Sequence, residues 1–260
     1  MSRNTSYSVR TFSDPVAEID RLRMQASILS PAEDNALLAG GLPKTGCMID
    51  LGCGPGFVAS RIGGFRPSLH WVGVDQERAL LSHAGSASVV LADVSALPFR
   101  DEAFDGALAR FVLRHVQDPG QALHEAARVV RRGGVVFALD ADDDSLILHP
   151  EPEGFFELKS ACQQLVRARG ADPRLARRLP ALFDSVGLRG IRVIPVPVCS
   201  SSIGVSAFAH LTLTPALAIA KHTQMGESRR RAATQAIVDW ASSPASFGVT
   251  MILVVCGTRG

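Results

Sequence analysis

The sequence predicts an α/β fold built on a doubly wound, mostly parallel sheet, and three observations carry that reading. Five short apolar runs recur between residues 47 and 139, segments of helix length separate them, and the first run stops at a glycine-rich turn. Strands that alternate with helices imply βαβ units, whose two covered faces make the strands continuously apolar.

Each element has its own signal. Asp14-Pro15 reads as an N-cap followed by proline at the first helical position, with Ile19, Leu22 and Ala26 recurring on one face. Ser30-Pro31 opens a second helix, which Gly40-Gly41 ends. Residues 47–51, 70–74, 88–92, 104–109 and 135–139 are the five strands. A helix follows the glycine turn through Val58, Ala59 and Ile62, and another over 119–130 runs out at Gly133-Gly134. Helices are also expected over 151–169 and 174–186. Residues 191–198 read as a strand despite Pro195 and Pro197, which place it at an edge or beside a bulge. Residues 247–256 form the last strand.

The segment of about forty residues before that strand is too long for a hairpin. It holds two helix-like stretches, one of them apolar around 211–219, and reads as a helical insertion that caps the site. The expected division is an N-terminal helical lid over 1–45, an α/β domain over 46–198 and 247–260, and a cap over 199–246.

Composition narrows the function. A chain of 260 residues with 47% hydrophobic and 20% charged side chains can bury a large core. The net charge of +2 offers nothing that would draw nucleic acid or an anionic membrane. Arg229-Arg230-Arg231 reads as a solvated helix face. Cys47, Cys53, Cys162, Cys199 and Cys256 form no CxxC pair, a pattern of reduced thiols. No apolar signal core follows Met1, and no apolar run reaches the ~18 residues of a membrane span. The expectation is a cytoplasmic protein, monomer or homodimer, whose partner is a small molecule.

The densest motif is Ile49-Asp50-Leu51-Gly52-Cys53-Gly54-Pro55-Gly56. Its glycines let backbone pass close to a ligand, and the following helix presents free N–H groups. The spacing is GxGxG, with Phe57 where a dinucleotide fingerprint carries its last glycine. Asp75 closes the second strand, where a carboxylate can accept both hydroxyls of a ribose. Asp93 closes the third, where it can accept from an adenine amino group. Nicotinamide enzymes predict the first acid and not the second.

Over residues 49–136 the chain resembles the class I S-adenosylmethionine-dependent methyltransferases. The matching pieces are Asp50-Leu51-Gly52-Cys53-Gly54-Pro55-Gly56, Gly73-Val74-Asp75, Ala92-Asp93-Val94, Leu97-Pro98-Phe99 and Arg128-Val129-Val130-Arg131-Arg132-Gly133-Gly134. Residues 18–26 and 109–119 look like a bacterial branch that includes many small-molecule methyltransferases of specialised metabolism. The resemblance implies a Rossmann-like sheet of seven strands, the last one antiparallel, and S-adenosyl-L-methionine as cofactor. It implies that backbone around Gly52, Cys53 and Gly54 approaches the methionine half, with Asp50 and Gly56 in the same binding turn. Asp75 would hold the ribose, Gln76 would lie against the adenine, and Asp93 with Val94 would read the adenine edge. Arg110 and Phe111 would flank the cofactor, while Gln25 and the single tyrosine, Tyr7, would close over its amino-acid end.

Methyl transfer is an in-line displacement, so alignment and exclusion of water can supply most of the catalysis. His115 is the best placed of seven histidines to take a proton, and its plainer role is to hydrogen-bond and pack in a loop. His210 and His222 of the cap read as ordinary helix-surface residues. Arg110 reads either as a clamp on the cofactor carboxylate or as an exposed strand-end charge. Asp140, Asp142, Asp144 and Glu151 fall at calcium-loop positions, but Ser145 replaces the required glycine, and no metal is expected. The apolar cap and Phe155-Phe156 suggest a partly apolar substrate methylated on oxygen, nitrogen or carbon. A cyclase on the same cofactor-binding fold is the alternative, and a non-catalytic binding protein is disfavoured by the intact motif.

Overall fold

A computed structural model describes residues 15–85 and 88–260. Tyr7 and the Asp14 cap lie outside the described residues. The chain runs α1 (Pro15–Ile28), α2 (Ser30–Ala39), β1 (Gly46–Leu51), α3 (Phe57–Phe65), β2 (Leu69–Asp75), α4 (Arg78–Leu81), β3 (Ser88–Leu91) and β4 (Phe104–Arg110). It continues through α5 (Pro119–Val129), β5 (Val130–Ala141), β6 (Ile147–His149), α6 (Phe155–Ala168), α7 (Leu179–Ser185) and β7 (Leu188–Cys199). Helices α8 (Ser200–Ile203), α9 (Val205–Thr212), α10 (Thr214–Ala220) and α11 (Glu227–Ser242) precede β8 (Phe247–Arg259).

Strands β3-β2-β1-β4-β5 pair parallel in that order, and β8 adds antiparallel to β5. On its far edge β8 pairs with β7, again antiparallel. Val249 pairs with both Cys199 and Ile147, so β6 occupies the edge of β8 that faces β5. The sheet therefore has eight strands where seven were expected. The extra strand, β6, is three residues long and too short for a periodic signal. The two prolines of β7 sit as expected: it pairs with β8 alone, and its register shifts between Arg189 and Arg192.

Helix boundaries moved for local reasons. Helix α5 stops at Val129, because Val130 is already extended and pairs with Phe104. The next pair is Gly106 with Val135, so residues 131–134 bulge out, with Gly133 at φ +73°. Helix α6 starts only at Phe155, behind Gly154 at φ +71°. The expected helix over 174–186 is a 3₁₀ turn, Leu175–Arg178, followed by α7. The cap segment holds four helices instead of two, broken at Gly204 and reopened at Pro215.

Alternating residues of the central strands feed two cores. Met48, Leu108, Phe137 and Leu139 face the side covered by α2, α3, α6 and the cap helices. Ile49, Leu51, Ala107, Ala109, Val136 and Ala138 face α5 and α7. Both faces are buried, which is why the strands read as unbroken apolar runs. The centre of the sheet leaves no space at Gly106. A Cβ there would stand 2.7 Å from the Val135 carbonyl oxygen and 2.6 Å from the Met48 sulfur. Gly106→Ala is expected to cost about 1–3 kcal/mol of stability by overpacking. Urea unfolding measures it, and a loss under roughly 0.5 kcal/mol would show that the strand can yield.

Candidate functional site

Strand β1 lies between β2 and β4, the point where the winding of the sheet reverses. In such sheets a crevice opens beyond the carboxyl ends of the strands at that point. The β1–α3 turn enters it with Gly52, Gly54 and Gly56 at φ +66°, +52° and +74°. These are left-handed conformations that glycine adopts without steric cost. The N–H groups of Gly52 and Cys53 both donate to the Val74 carbonyl, at 2.7 and 3.0 Å, anchoring the turn to β2. A Cβ on Gly52 would stand 2.7 Å from Val112 Cβ, so a side chain there would fill the crevice floor.

A cavity of about 440 Å³ extends from this turn to the cap. That size falls in the roughly 300–1,000 Å³ range of small-molecule sites. Gln25, Asp50, Gly52, Cys53, Gly54, Asp75, Gln76, Val94, Arg110, Phe111 and His115 all line it. Gly56 is not in the wall and serves as the N-cap of α3. Asp93 is not in the wall either; its Oδ1 accepts from Ser95 N–H at 2.8 Å, while its neighbours Ala92 and Val94 line the cavity. Toward the cap the wall becomes apolar, with Phe155, Leu158 and Val166 of α6 opposite Leu211, Leu213 and Ile219.

The carboxylates at this end are held by backbone. Asp75 accepts from Gly54 N–H at 2.9 Å on one oxygen and from Glu77 N–H at 2.8 Å on the other. Burial raises its pKa while these bonds oppose the shift. Asp50 is buried, and its Oδ2 has no hydrogen-bond partner among the described residues. Burial pushes its pKa up to about 7, against the pull of Arg110. The Cys53 thiol is pushed up by burial and is an inert packing group. Its sulfur would lie 2.6 Å from a Cβ on Gly73, so this glycine makes room for the turn.

Arg110 lines the cavity and is not the exposed strand-end charge that was one of its two expected readings. Its guanidinium grips Glu33 of α2 through three contacts of 2.9–3.1 Å and stacks over the Phe111 ring at 4.6 Å. Glu33 is fully buried and also meets Arg61 of α3 at 3.3 Å. Sequence reasoning missed this acid. The available signal was its place among Ala36 and Leu37 on the buried face of α2, where a charge demands a partner.

The acids after β5 are matched by arginines. Asp142 is gripped by Arg177 at 2.6 and 2.7 Å, Asp144 meets Arg174 at 2.6 Å, and Asp143 meets Arg114 at 2.7 Å. Asp142 also accepts from Asp144 N–H and so caps the 3₁₀ turn Asp143–Ser145. His115 ends another 3₁₀ turn, Leu113–His115. Burial, then the Arg114 and Arg21 charges, push its pKa down to about 3, which leaves the imidazole neutral.

Asp50 gives a prediction for the ligand-free protein. The fold raises its pKa from 3.8 to about 7, so stability falls as pH rises across that window and stays low above it. Asp50→Asn removes this penalty. The variant is expected to be more stable than the parent near pH 8, by on the order of 2–4 kcal/mol, with no advantage near pH 4. Urea unfolding at both pH values tests this, and a difference independent of pH would refute it.

Comparison with known proteins bears on the same region. A family model described as a methyltransferase domain matches residues 49–138. An uncharacterised methyltransferase of Schizosaccharomyces pombe is 32% identical over 151 residues, covering 52% of this chain and 54% of its own. A ubiquinone/menaquinone biosynthesis C-methyltransferase of Geotalea daltonii is 31% identical over 125 residues, covering 44% and 53%. The chain spans 42%, 54% and 65% of the lengths of three curated relatives that it matches. Among solved structures, a possible histamine N-methyltransferase of Thermotoga maritima aligns over 94% of this chain and 96% of its own, with 20% identity and TM-score 0.58. The cyclase SpnF aligns over 84% and 77%, with 21% identity and TM-score 0.53. Residues 49–138 match a methyltransferase domain, and the solved structures share the fold of this chain.

Proposed function

We propose that this protein transfers the methyl group of S-adenosylmethionine to a small, partly apolar molecule, in a reaction of specialised metabolism in the cytoplasm. One observation carries the reading: a single cavity joins the glycine turn to an apolar chamber under the cap. Residues 1–45 then act as lid, 46–198 with 247–260 as cofactor domain, and 199–246 as substrate cap. No described helix is long and apolar enough to cross a membrane, and the five cysteines are free.

The residues present fit the cofactor. A side chain at Gly52 would fill the floor that its methionine half needs. The unpartnered Oδ2 of Asp50 suits an ammonium group, and Asp75 keeps lone pairs for ribose hydroxyls beyond those taken by Gly54 and Glu77. Gln76 and Val94 form the adenine side, with Asp93 behind Val94, and Gln25 and Phe111 border the amino-acid end. When bound, the cofactor supplies an electrophilic methyl group on a sulfonium.

The chain's part in the reaction is to align and to exclude water. Leu22, Gln25 and Ala26 of α1 roof the cavity, and the α6, α9 and α10 side chains enclose its far end. An imidazole whose conjugate acid has a pKa of about 3 is a weak proton acceptor, so His115 orders the loop after β4 and does not serve as base. Incubation with methyl-labelled cofactor and a host extract tests the function. Label transfer supports it, and cofactor-dependent product without label supports the cyclase alternative.

Two variants test the assignments. Asp75→Ala should weaken S-adenosylmethionine binding at least tenfold by calorimetry, since each charge-assisted hydrogen bond contributes about 1.5–3 kcal/mol. Unchanged affinity would remove Asp75 from the site. His115→Asn should keep most of the turnover, and the parent should show no titration of His115 between about pH 5 and 8. Normal cofactor affinity with turnover reduced about a hundredfold would make His115 catalytic.

A further inference from the structure

The cavity carries a charge that S-adenosylmethionine would not account for. Most cations in its wall are already neutralised: Arg21 by Glu18 at 2.7 Å, Arg110 by Glu33 at 2.9 Å and Arg114 by Asp143 at 2.7 Å. Lys159 of α6 is different. It lines the cavity and is half-buried, and among the described residues no carboxylate stands within about 4 Å of it. Its ammonium sits 5.8 Å from the centre of the Phe155 ring. The carboxylate acting on it most strongly, Asp144, already holds Arg174 at 2.6 Å and Gln163 at 3.2 Å. Arg169, exposed at the end of α6, adds a second cation to the same wall.

The surroundings of Lys159 are apolar and elongated. Phe155, Leu158, Cys162 and Val166 recur at intervals of three or four residues and turn one face of α6 to the cavity. From Phe155 to Val166 that face is about 16 Å long at 1.5 Å per residue. Leu211, Leu213 and Ile219 line the cavity too. A cation in such a wall bears a desolvation cost that an anion in the cavity would relieve. The acids nearest this end, Asp142, Asp143 and Asp144, are each paired with an arginine, so Lys159 and Arg169 leave it positive.

We infer that the substrate is an elongated, largely apolar molecule bearing one anionic group, a carboxylate or a phosphate, which pairs with Lys159. This deepens the methyltransferase reading and rests on it for which end of the cavity is left to substrate. The anion fixes the register of the apolar body along α6, and so selects which atom is presented for methylation.

Calorimetry on the full chain with S-adenosylhomocysteine present tests this with four probes of one chain length: decanoate, decyl phosphate, decanol and decylamine. At least one anion should bind about tenfold or more tighter than decanol, and decylamine should bind weakest. The stronger anion tells carboxylate from phosphate. Lys159→Met should abolish the preference while decanol and S-adenosylhomocysteine affinities hold, and Lys159→Arg should retain it. If Lys159→Met fails to fold, Lys159→Gln serves in its place. Equal binding of decanol and both anions, tighter binding of decylamine, no binding of any probe, or a preference that survives loss of Lys159 would each overturn the inference. A parent protein that fails to bind S-adenosylhomocysteine, yet shows the charge preference, would instead defeat the methyltransferase reading.

Discussion

The site is held together by one buried carboxylate. Glu33 is fully excluded from solvent, yet it receives Arg110 from the end of β4 and Arg61 from α3. Arg61 also donates to the Ala26 carbonyl on α1 and meets Asp34 at 2.8 Å. Four elements are thereby tied at one point: the roof helix α1, its neighbour α2, the helix after the glycine turn, and a central strand. An isolated charge in that position would be expensive, and breaking such a network by removing one member typically costs about 3–5 kcal/mol. The partners therefore have to be present together. This constraint places the N-terminal helices over the crevice rather than elsewhere on the sheet.

Beneath that tie, the charges at the carboxyl ends of the strands follow a single logic. Asp75 is stabilised by two backbone N–H groups and not by a cation. Asp50 lies close enough to Arg110 and Arg61 to feel both, but its second oxygen remains without a bond. The two acids also repel each other, which adds to the cost of ionising Asp50. A ligand that brings a cationic group to Asp50 and hydroxyls to Asp75 relieves both strains at once. Phe111, in the same wall, is held at φ +53° by its own N–H bond to the Leu139 carbonyl, a conformation uncommon outside glycine.

The sequence revealed those parts whose cause is local. Apolar runs marked β1 to β5 because both faces of the sheet are covered, and Pro195 and Pro197 announced the edge strand because they cannot donate to a ladder. The glycine turn was legible because three residues with positive φ need glycine. What stayed hidden depends on residues distant in the chain. Nothing near Arg110 indicates that Glu33, 77 positions earlier, fills its fork. The end of α5 at Val129 was hidden because Phe104 recruits Val130 into the sheet before the glycines are reached. Strand β6 exists only because β8 outruns β5, whose last partner is Ile252, and leaves Phe247 to Val249 to be paired. The segment between β7 and β8 read as helical, while the breaks among its four helices depend on distant partners: α10 and α11 pack on α6, and α8 and α9 on β8.

The acidic run after β5 is another case of distant pairing. In sequence it resembles a set of metal ligands, whereas in the fold each of Asp142, Asp143 and Asp144 meets an arginine. Asp140, buried beside Arg114 at 3.4 Å, joins the same group, and burial pushes its pKa up to about 7. Arg114 is thereby fixed as a half-buried cation between two acids, and its position has a consequence for its neighbour. A permanent positive charge next to His115 opposes protonation of the imidazole, in the same direction as burial. The acids thus act on the site at one remove. They hold an arginine whose charge adds to burial in keeping His115 neutral. The wall of this cavity thus mixes paired charges, such as Arg110 with Glu33 and Arg114 with Asp143, with two groups that lack such a pair among the described residues, Asp50 near the glycine turn and Lys159 on α6.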